Sequence, residues 1–158
     1  MKKLFMLLSL LAMAVAANAK ENFYLLSTPN TTLCLSAEVG KPLYFRYYGS
    51  RAEVDDIRAA GRMLKYDAYP AFGTLCDAPY AALVKQHDGD NATKFAVEKV
   101  EQTTLEELTR VSVWLRDTVH PNLVVKVNYS AYNDCDIIKI NTEYFNKGKK
   151  PVVLQKYM

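Results

Sequence analysis

The sequence predicts an all-β domain, an antiparallel β-sandwich. Three observations predict it. After residue 20 the chain is a succession of short runs rich in Val, Ile, Thr, Tyr, Phe and Leu, many alternating apolar with polar. Turn residues punctuate these runs, as in Thr28-Pro29-Asn30, His87-Asp88-Gly89-Asp90 and Asn146-Lys147-Gly148. No long amphipathic helical period, Rossmann glycine pattern or P-loop interrupts them.

Residues 1–19 read as a signal peptide. Lys2 and Lys3 give a basic start, residues 4–16 are apolar, and Ala17-Asn18-Ala19 is a small-x-small cleavage site. The apolar run is shorter than the ~20 residues of a membrane span. The expectation is an exported bacterial protein, periplasmic or secreted, whose mature domain covers residues 20–158 and has no membrane association after cleavage. The formal net charge of +3 includes Lys2 and Lys3, so the mature segment is close to neutral. It carries no electrostatic footprint for nucleic acid. Lys147, Lys149 and Lys150 are the largest basic cluster, at a turn around Gly148, and read as a solvated tip with a phosphate or partner contact as the alternative.

Strands are predicted over 22–27, 31–37 and 43–48. In the third, the two-residue period puts Tyr44, Arg46 and Tyr48 on one face, which could stack on sugar rings or form the wet side of a half-covered sheet. Residues 50–65 break the pattern with a charged loop, in which 52–60 can form a short helix before Gly61. Asp55 and Asp56 lie there as neighbours, a spacing that does not oppose two carboxyls across a bond.

Tyr66-Asp67-Ala68-Tyr69-Pro70-Ala71-Phe72-Gly73 then brings three rings together in an extended segment. Pro70 fixes its own φ and biases Tyr69 to an extended shape. The segment reads as a core-plugging crossover between sheets. Beyond it, strands are predicted over 80–86, 93–101, 105–117, 123–132 and 137–146, and a last one from Val152. Asp88-Gly89 is the signature of a hairpin joining the first two of these. Ile138, Ile140, Thr142 and Tyr144 form one stripe.

Cys34, Cys76 and Cys135 allow one disulfide, in any pairing, and a spare thiol. His87 and His120 are the only histidines, each in a turn, and no spacing matches a zinc motif. No metal or cofactor is expected.

The order of these motifs carries a resemblance. Residues 43–49 end in Tyr47-Tyr48-Gly49; a charged loop follows, then Tyr69-Pro70-Ala71-Phe72-Gly73 and His87-Asp88-Gly89-Asp90. Next come Leu115-Arg116-Asp117, Tyr129-Ser130-Ala131-Tyr132 and Asn146-Lys147-Gly148. The series resembles the N-terminal domain of glycoside hydrolase family 36, the microbial α-galactosidases, over nearly all of residues 20–158. The resemblance implies a β-supersandwich in front of a (β/α)8 barrel, with both catalytic aspartates on the barrel. No catalytic residue therefore carries over to this chain, and the supersandwich is expected to be incomplete at the C-terminal end.

The implied partners are the barrel of the parent enzyme, neighbouring subunits of a homo-oligomer and, for the parent, galactosides. In tetrameric members an aspartate from the loop before the Tyr-Pro segment reaches a neighbour's galactose site. Asp55 or Asp56 is the matching position, in a loop shorter than theirs. The expected function is a non-catalytic accessory and assembly domain of an exported α-galactosidase-like enzyme. The alternatives are a free-standing secreted carbohydrate-binding β-sandwich and an up-and-down barrel for a small apolar ligand. A barrel pairs its first and last strands. A binding module exposes coplanar rings, and a severed enzyme domain shows an uncovered apolar face and an unpaired last edge.

Overall fold

The strands fall into two four-stranded antiparallel sheets and one two-stranded sheet in the computed structural model, which describes residues 21–73 and 79–158. The expected leader and Cys76 lie outside the described residues. The first sheet runs β1 (Asn22–Ser27), β2 (Thr31–Ala37), β3 (Tyr44–Ser50) and β4 (Tyr66–Asp67), in that order. The second is a meander of β6 (Phe95–Thr104), β7 (Leu108–Asp117), β8 (Leu123–Tyr132) and β9 (Ile138–Asn146). β5 (Ala82–Lys85) pairs antiparallel with β10 (Val153–Tyr157). A single helix among the described residues, α1 (Val54–Ala59), lies between β3 and β4.

Alternation along each strand decides what is inside. Val111, Val113 and Leu115 of β7 and Val125, Val127, Tyr129 and Ala131 of β8 turn to one face and are buried. Leu26, Leu33 and Leu35 of the first sheet join the same core. Fully burying one such aliphatic side chain contributes about 1.5–3 kcal/mol. The outer face of the second sheet is polar and bonded. Ser112 Oγ donates to Asn128 Oδ1 at 2.6 Å, and Asn128 Nδ2 to Glu143 Oε1 at 2.8 Å.

The all-β antiparallel sandwich is as predicted. β1 pairs with β2 and β10 with β5, so the first-to-last pairing of an up-and-down barrel is not formed.

One local expectation is corrected here. Asp88-Gly89 makes a turn, with Gly89 at φ +92° and Gln86 N–H bonded to Asp90 O at 2.8 Å, but not a two-strand hairpin. β5 pairs with β10 and β6 with β7, because four further residues after the turn carry the chain across to the second sheet. The last strand, expected to show an unpaired edge, has β5 on one side and, among the described residues, no strand on the other.

The third strand is corrected too. A β-bulge opposite Cys34 and Leu35 inserts Arg46, so Tyr47 pairs with Cys34 while Phe45 pairs with Leu35. The two-residue period is thereby broken. Phe45 and Tyr48 fall on the side of Leu35 and Leu33, whereas Arg46 reaches Ser36 on the opposite face. Tyr44, Arg46 and Tyr48 do not form one stripe.

The Tyr66–Gly73 segment is a core plug through one of its three rings. Tyr69 is buried and meets Phe95 edge-on at 5.7 Å, whereas Tyr66 and Phe72 are exposed. Pro70 O accepts Ala81 N–H at 2.7 Å, and Phe72 O accepts Thr93 N–H at 2.8 Å. Gly73 holds φ +107°, and a Cβ there would sit 2.9 Å from the Thr93 nitrogen. Only glycine fits this crossing without strain.

Candidate functional site

The loop of residues 50–65 is anchored by its helix. Ile57 of α1 packs on Cys34 and Tyr47, forming a second small core on the outer face of the first sheet. The predicted helix is present and slightly shorter than expected. Glu53 caps it, and Asp55 and Asp56 occupy its first turn, where carboxylates suit the helix dipole.

Both candidate aspartates are exposed, and each has a local partner. Asp55 Oδ1 accepts Arg58 Nη1 at 2.9 Å. Asp56 Oδ2 accepts the Glu53 backbone N–H at 3.3 Å, one arm of a capping box. Asp56 also lines a shallow cleft of about 230 Å³ with Arg51, Arg62 and Tyr47. Asp55 faces solvent. The structure brings neither residue opposite a second carboxyl across a space for a glycosidic bond.

Arg46, offered by sequence as part of a sugar-stacking face, is held inside the domain. Its Nε donates to Ser36 Oγ at 2.7 Å and its Nη1 to Leu64 O at 2.8 Å. Nη2 pairs with Glu21, and the guanidinium lies over the rings of Phe23 and Tyr44. Burial alone would raise the Glu21 pKa, but the bonds from Ser36 and Arg46 outweigh it and the carboxyl sits below its usual range.

Trp114, on the outer face of the second sheet, has the Lys99 and Lys126 ammonium groups 4.9 and 5.0 Å from its ring centroid. Those rings already carry cations. Asp67 has a raised pKa because burial outweighs the hydrogen bond it accepts from Tyr69 N–H, at 2.8 Å. A raised carboxyl suits an acid, but no second carboxyl opposes it among the described residues.

Cys34 and Cys135 are both free thiols. Burial pushes the Cys34 pKa up to about 11, which makes it an inert core residue rather than a nucleophile. No group of three or more His, Cys, Asp or Glu side chains could hold a metal ion among the described residues.

Sequence reasoning missed one gathering. His87 and His120, read as residues of two unrelated turns, line the same cleft together with Lys149 and Lys150. Only the turn residues flanking each histidine hinted at it, and no local pattern could relate the two turns.

Comparison with known proteins follows the fold. A search of curated proteins finds no match. Among solved structures, the chain is similar to the GH36 α-galactosidase AgaA from Geobacillus stearothermophilus, at TM-score 0.71 and 18% identity. That match covers 86% of this chain and 24% of that one. AgaB from the same organism gives TM-score 0.69 and 18% identity, covering 87% of this chain and 24% of that one. The α-galactosidase from Lactobacillus brevis gives 0.67 and 17%, covering 87% and 23%. The chain thus spans about a quarter of the length of these enzymes and shares the fold of that part. The model of the glycosyl hydrolase family 36 N-terminal domain matches residues 40–158, most of the chain and all of the sandwich beyond β2. This chain therefore belongs to the glycosyl hydrolase family 36 N-terminal domain family.

Proposed function

We propose that this domain is the non-catalytic accessory and assembly part of an exported α-galactosidase-like glycoside hydrolase. The observation that carries the reading is the family match over residues 40–158 of a chain that spans about a quarter of its structural relatives. Retaining hydrolysis needs an acid and a nucleophile ~5–5.5 Å apart across one bond, and the candidate Asp55 and Asp56 are engaged by Arg58 and by the helix cap. The domain's work is then to pack on a catalytic barrel, to help build the oligomer and to shape the sugar site. The exposed α1 loop is the surface offered to a neighbouring subunit's galactose site, with Asp56 at its cleft and Asp55 beside it. Export rests on the leader at residues 1–19.

The test is turnover of an aryl α-galactoside. The chain alone should give none. In the enzyme that carries the barrel, Asp56→Ala should raise KM by roughly tenfold or more, since a charged hydrogen bond to a sugar hydroxyl contributes about 1.5–3 kcal/mol. Asp55→Ala should have the smaller effect. Turnover by the chain alone, abolished by a point change within it, would overturn the non-catalytic reading. Unchanged constants in both variants would remove only the loop assignment.

A further inference from the structure

A cleft of about 370 Å³ opens at one end of the sandwich, where three turns meet. Gln86 and His87 enter from the turn after β5, His120 and Asn122 from the β7–β8 turn, and Lys149 and Lys150 from the turn after β9. The chain has two histidines, and both are here.

Its chemistry is one-sided. None of the lining residues is an Asp or Glu. Lys150 Nζ lies 2.8 Å from His87 Nε2, so its partner is an imidazole nitrogen and not a carboxylate. Among the described residues neither Lys149 nor Lys150 forms an ion pair. Asp90 stands behind His120, 3.0 Å from its Nε2, and orients that ring from outside the lining.

Gln86 forms part of the cleft wall. The residue is 8% exposed, and its Nε2, sealed from solvent, has no hydrogen-bond partner among the described residues. A buried amide donor left without an acceptor is costly, and each such group in a folded protein calls for an explanation.

The cleft is also built, not a chance gap between mobile tips. Asn146 braces the last turn, giving Nδ2–H to Lys150 O at 2.8 Å and taking Gly148 N–H on Oδ1 at 2.9 Å. Lys147 N–H bonds to Asn122 O at 2.8 Å and ties that turn to the β7–β8 turn. A Cβ at Gly148 would meet Asn122 at 3.3 Å, so glycine lets the two turns close on each other.

We propose that this cleft binds a small oxyanion, a phosphate or carboxylate group. Two ammonium groups with no carboxylate partner among the described residues, lining one cleft with two imidazoles and the Asn122 amide, call for oxygen acceptors carrying negative charge. A neutral sugar would supply acceptors but leave both lysines uncompensated. The same chemistry is offered by a free inorganic anion and by an acid group carried on a sugar. The site is separate from the α1 loop, and the proposal stands whether or not the chain assists a hydrolase.

The two histidines give a direct readout. The chain is labelled with ¹³C at histidine Cε1 and titrated with inorganic phosphate, with ionic strength held constant by chloride. Both resonances should shift and saturate. Lys150→Met and Gln86→Glu should each weaken binding by roughly tenfold or more. Gln86→Glu keeps the side-chain shape while placing a like charge in the cleft wall. Lys139→Met, on β9 outside the cleft, should bind as the parent does. Saturable shifts by galacturonate that compete with phosphate assign a sugar-borne acid; saturation by phosphate alone assigns an inorganic or phosphoryl group. Shifts that never saturate, equal affinity in the cleft variants and Lys139→Met, or the same shifts with neutral galactose would overturn the proposal.

Discussion

The hydroxyls of Tyr69 and Tyr144 are hydrogen-bonded to each other across 75 residues of sequence. Tyr69 belongs to the crossover and Tyr144 to β9, and Tyr144 in turn meets Tyr157 of β10 edge-on at 6.5 Å. Three segments that share no ladder are thus tied by one line of rings.

Truncating this line should separate packing from hydrogen bonding. Tyr69→Ala is expected to cost about 3–5 kcal/mol, the range for a large buried ring. Tyr69→Phe keeps the ring and should cost about 1 kcal/mol. Denaturant midpoints measure both. Equal losses would mean that the hydroxyl pair, not the packing, holds the crossover. Burial, chiefly, also raises the Tyr69 pKa above its ordinary 10.0. The native state then holds this proton more tightly than the unfolded chain. Its contribution is whole below pH 10 and falls as pH rises above it, and Tyr69→Phe should reduce that alkaline loss.

Gly73 and Gly89 both have positive φ but different surroundings. Gly89→Ala meets no atom within 4 Å, so only its φ of +92° is strained. Gly73→Ala adds a contact of 2.9 Å with the Thr93 backbone, which cannot swing aside as a side chain would. The backbone strain alone is about 1–3 kcal/mol. Gly73→Ala should therefore lower Tm clearly more than Gly89→Ala. A thermal melt of the two variants decides it, and equal shifts would show that the 72–93 crossing yields.

Asp136 staples the β8–β9 turn to the β1–β2 turn. Its Oδ2 accepts Asn30 Nδ2 at 2.6 Å, and its Oδ1 accepts Thr28 Oγ1 at 2.7 Å and Asn30 N–H at 2.9 Å. These bonds, the Asn30 side chain first, hold its pKa below the usual 3.8. A depressed native pKa stabilises the fold above the unfolded value, and that stability is lost as pH falls through the folded one. Asp136→Ala should be less stable than the parent at neutral pH, and the gap should close as pH drops below about 3.8. A gap that persists unchanged at lower pH would assign the loss to turn geometry rather than to the charge.

The groove of about 450 Å³ between β2, β3 and β9 is lined by Leu33, Phe45, Tyr48, Ile137, Ile138 and Ile140, with Asp136 as its one charged member. Ile137 and Ile140 are more than half exposed, and β9 has β8 as its one strand neighbour in the sheet. Exposed apolar side chains on a free edge favour association. The isolated chain should bind a hydrophobic dye and elute larger than a monomer, and Ile140→Lys should reduce both. A monodisperse parent that binds no dye would show that this edge is protected in solution.

The sequence by itself determined the strands, because side-chain alternation and turn residues act locally. β1, β2 and β8 have the predicted bounds, and the short helix lies inside the predicted 52–60. No local pattern in it offers a metal site or a catalytic pair. Tertiary structure decided the rest. Asp88-Gly89 makes its turn as its chemistry dictates, yet which strands then pair depends on where β10 arrives, more than sixty residues later. The bulge at Arg46 arises because Arg46 reaches Ser36, Leu64 and Glu21, contacts that no two-residue period encodes. Of three rings in the crossover, only Tyr69 is buried, because the stacked sheets bring Phe95 and the shared core to it and leave Tyr66 and Phe72 at the surface. His87 and His120 share a cleft for the same reason: turns distant in sequence meet when the sheets stack, and hydrophobic burial that drives stacking carries no local record of which turns it will bring together.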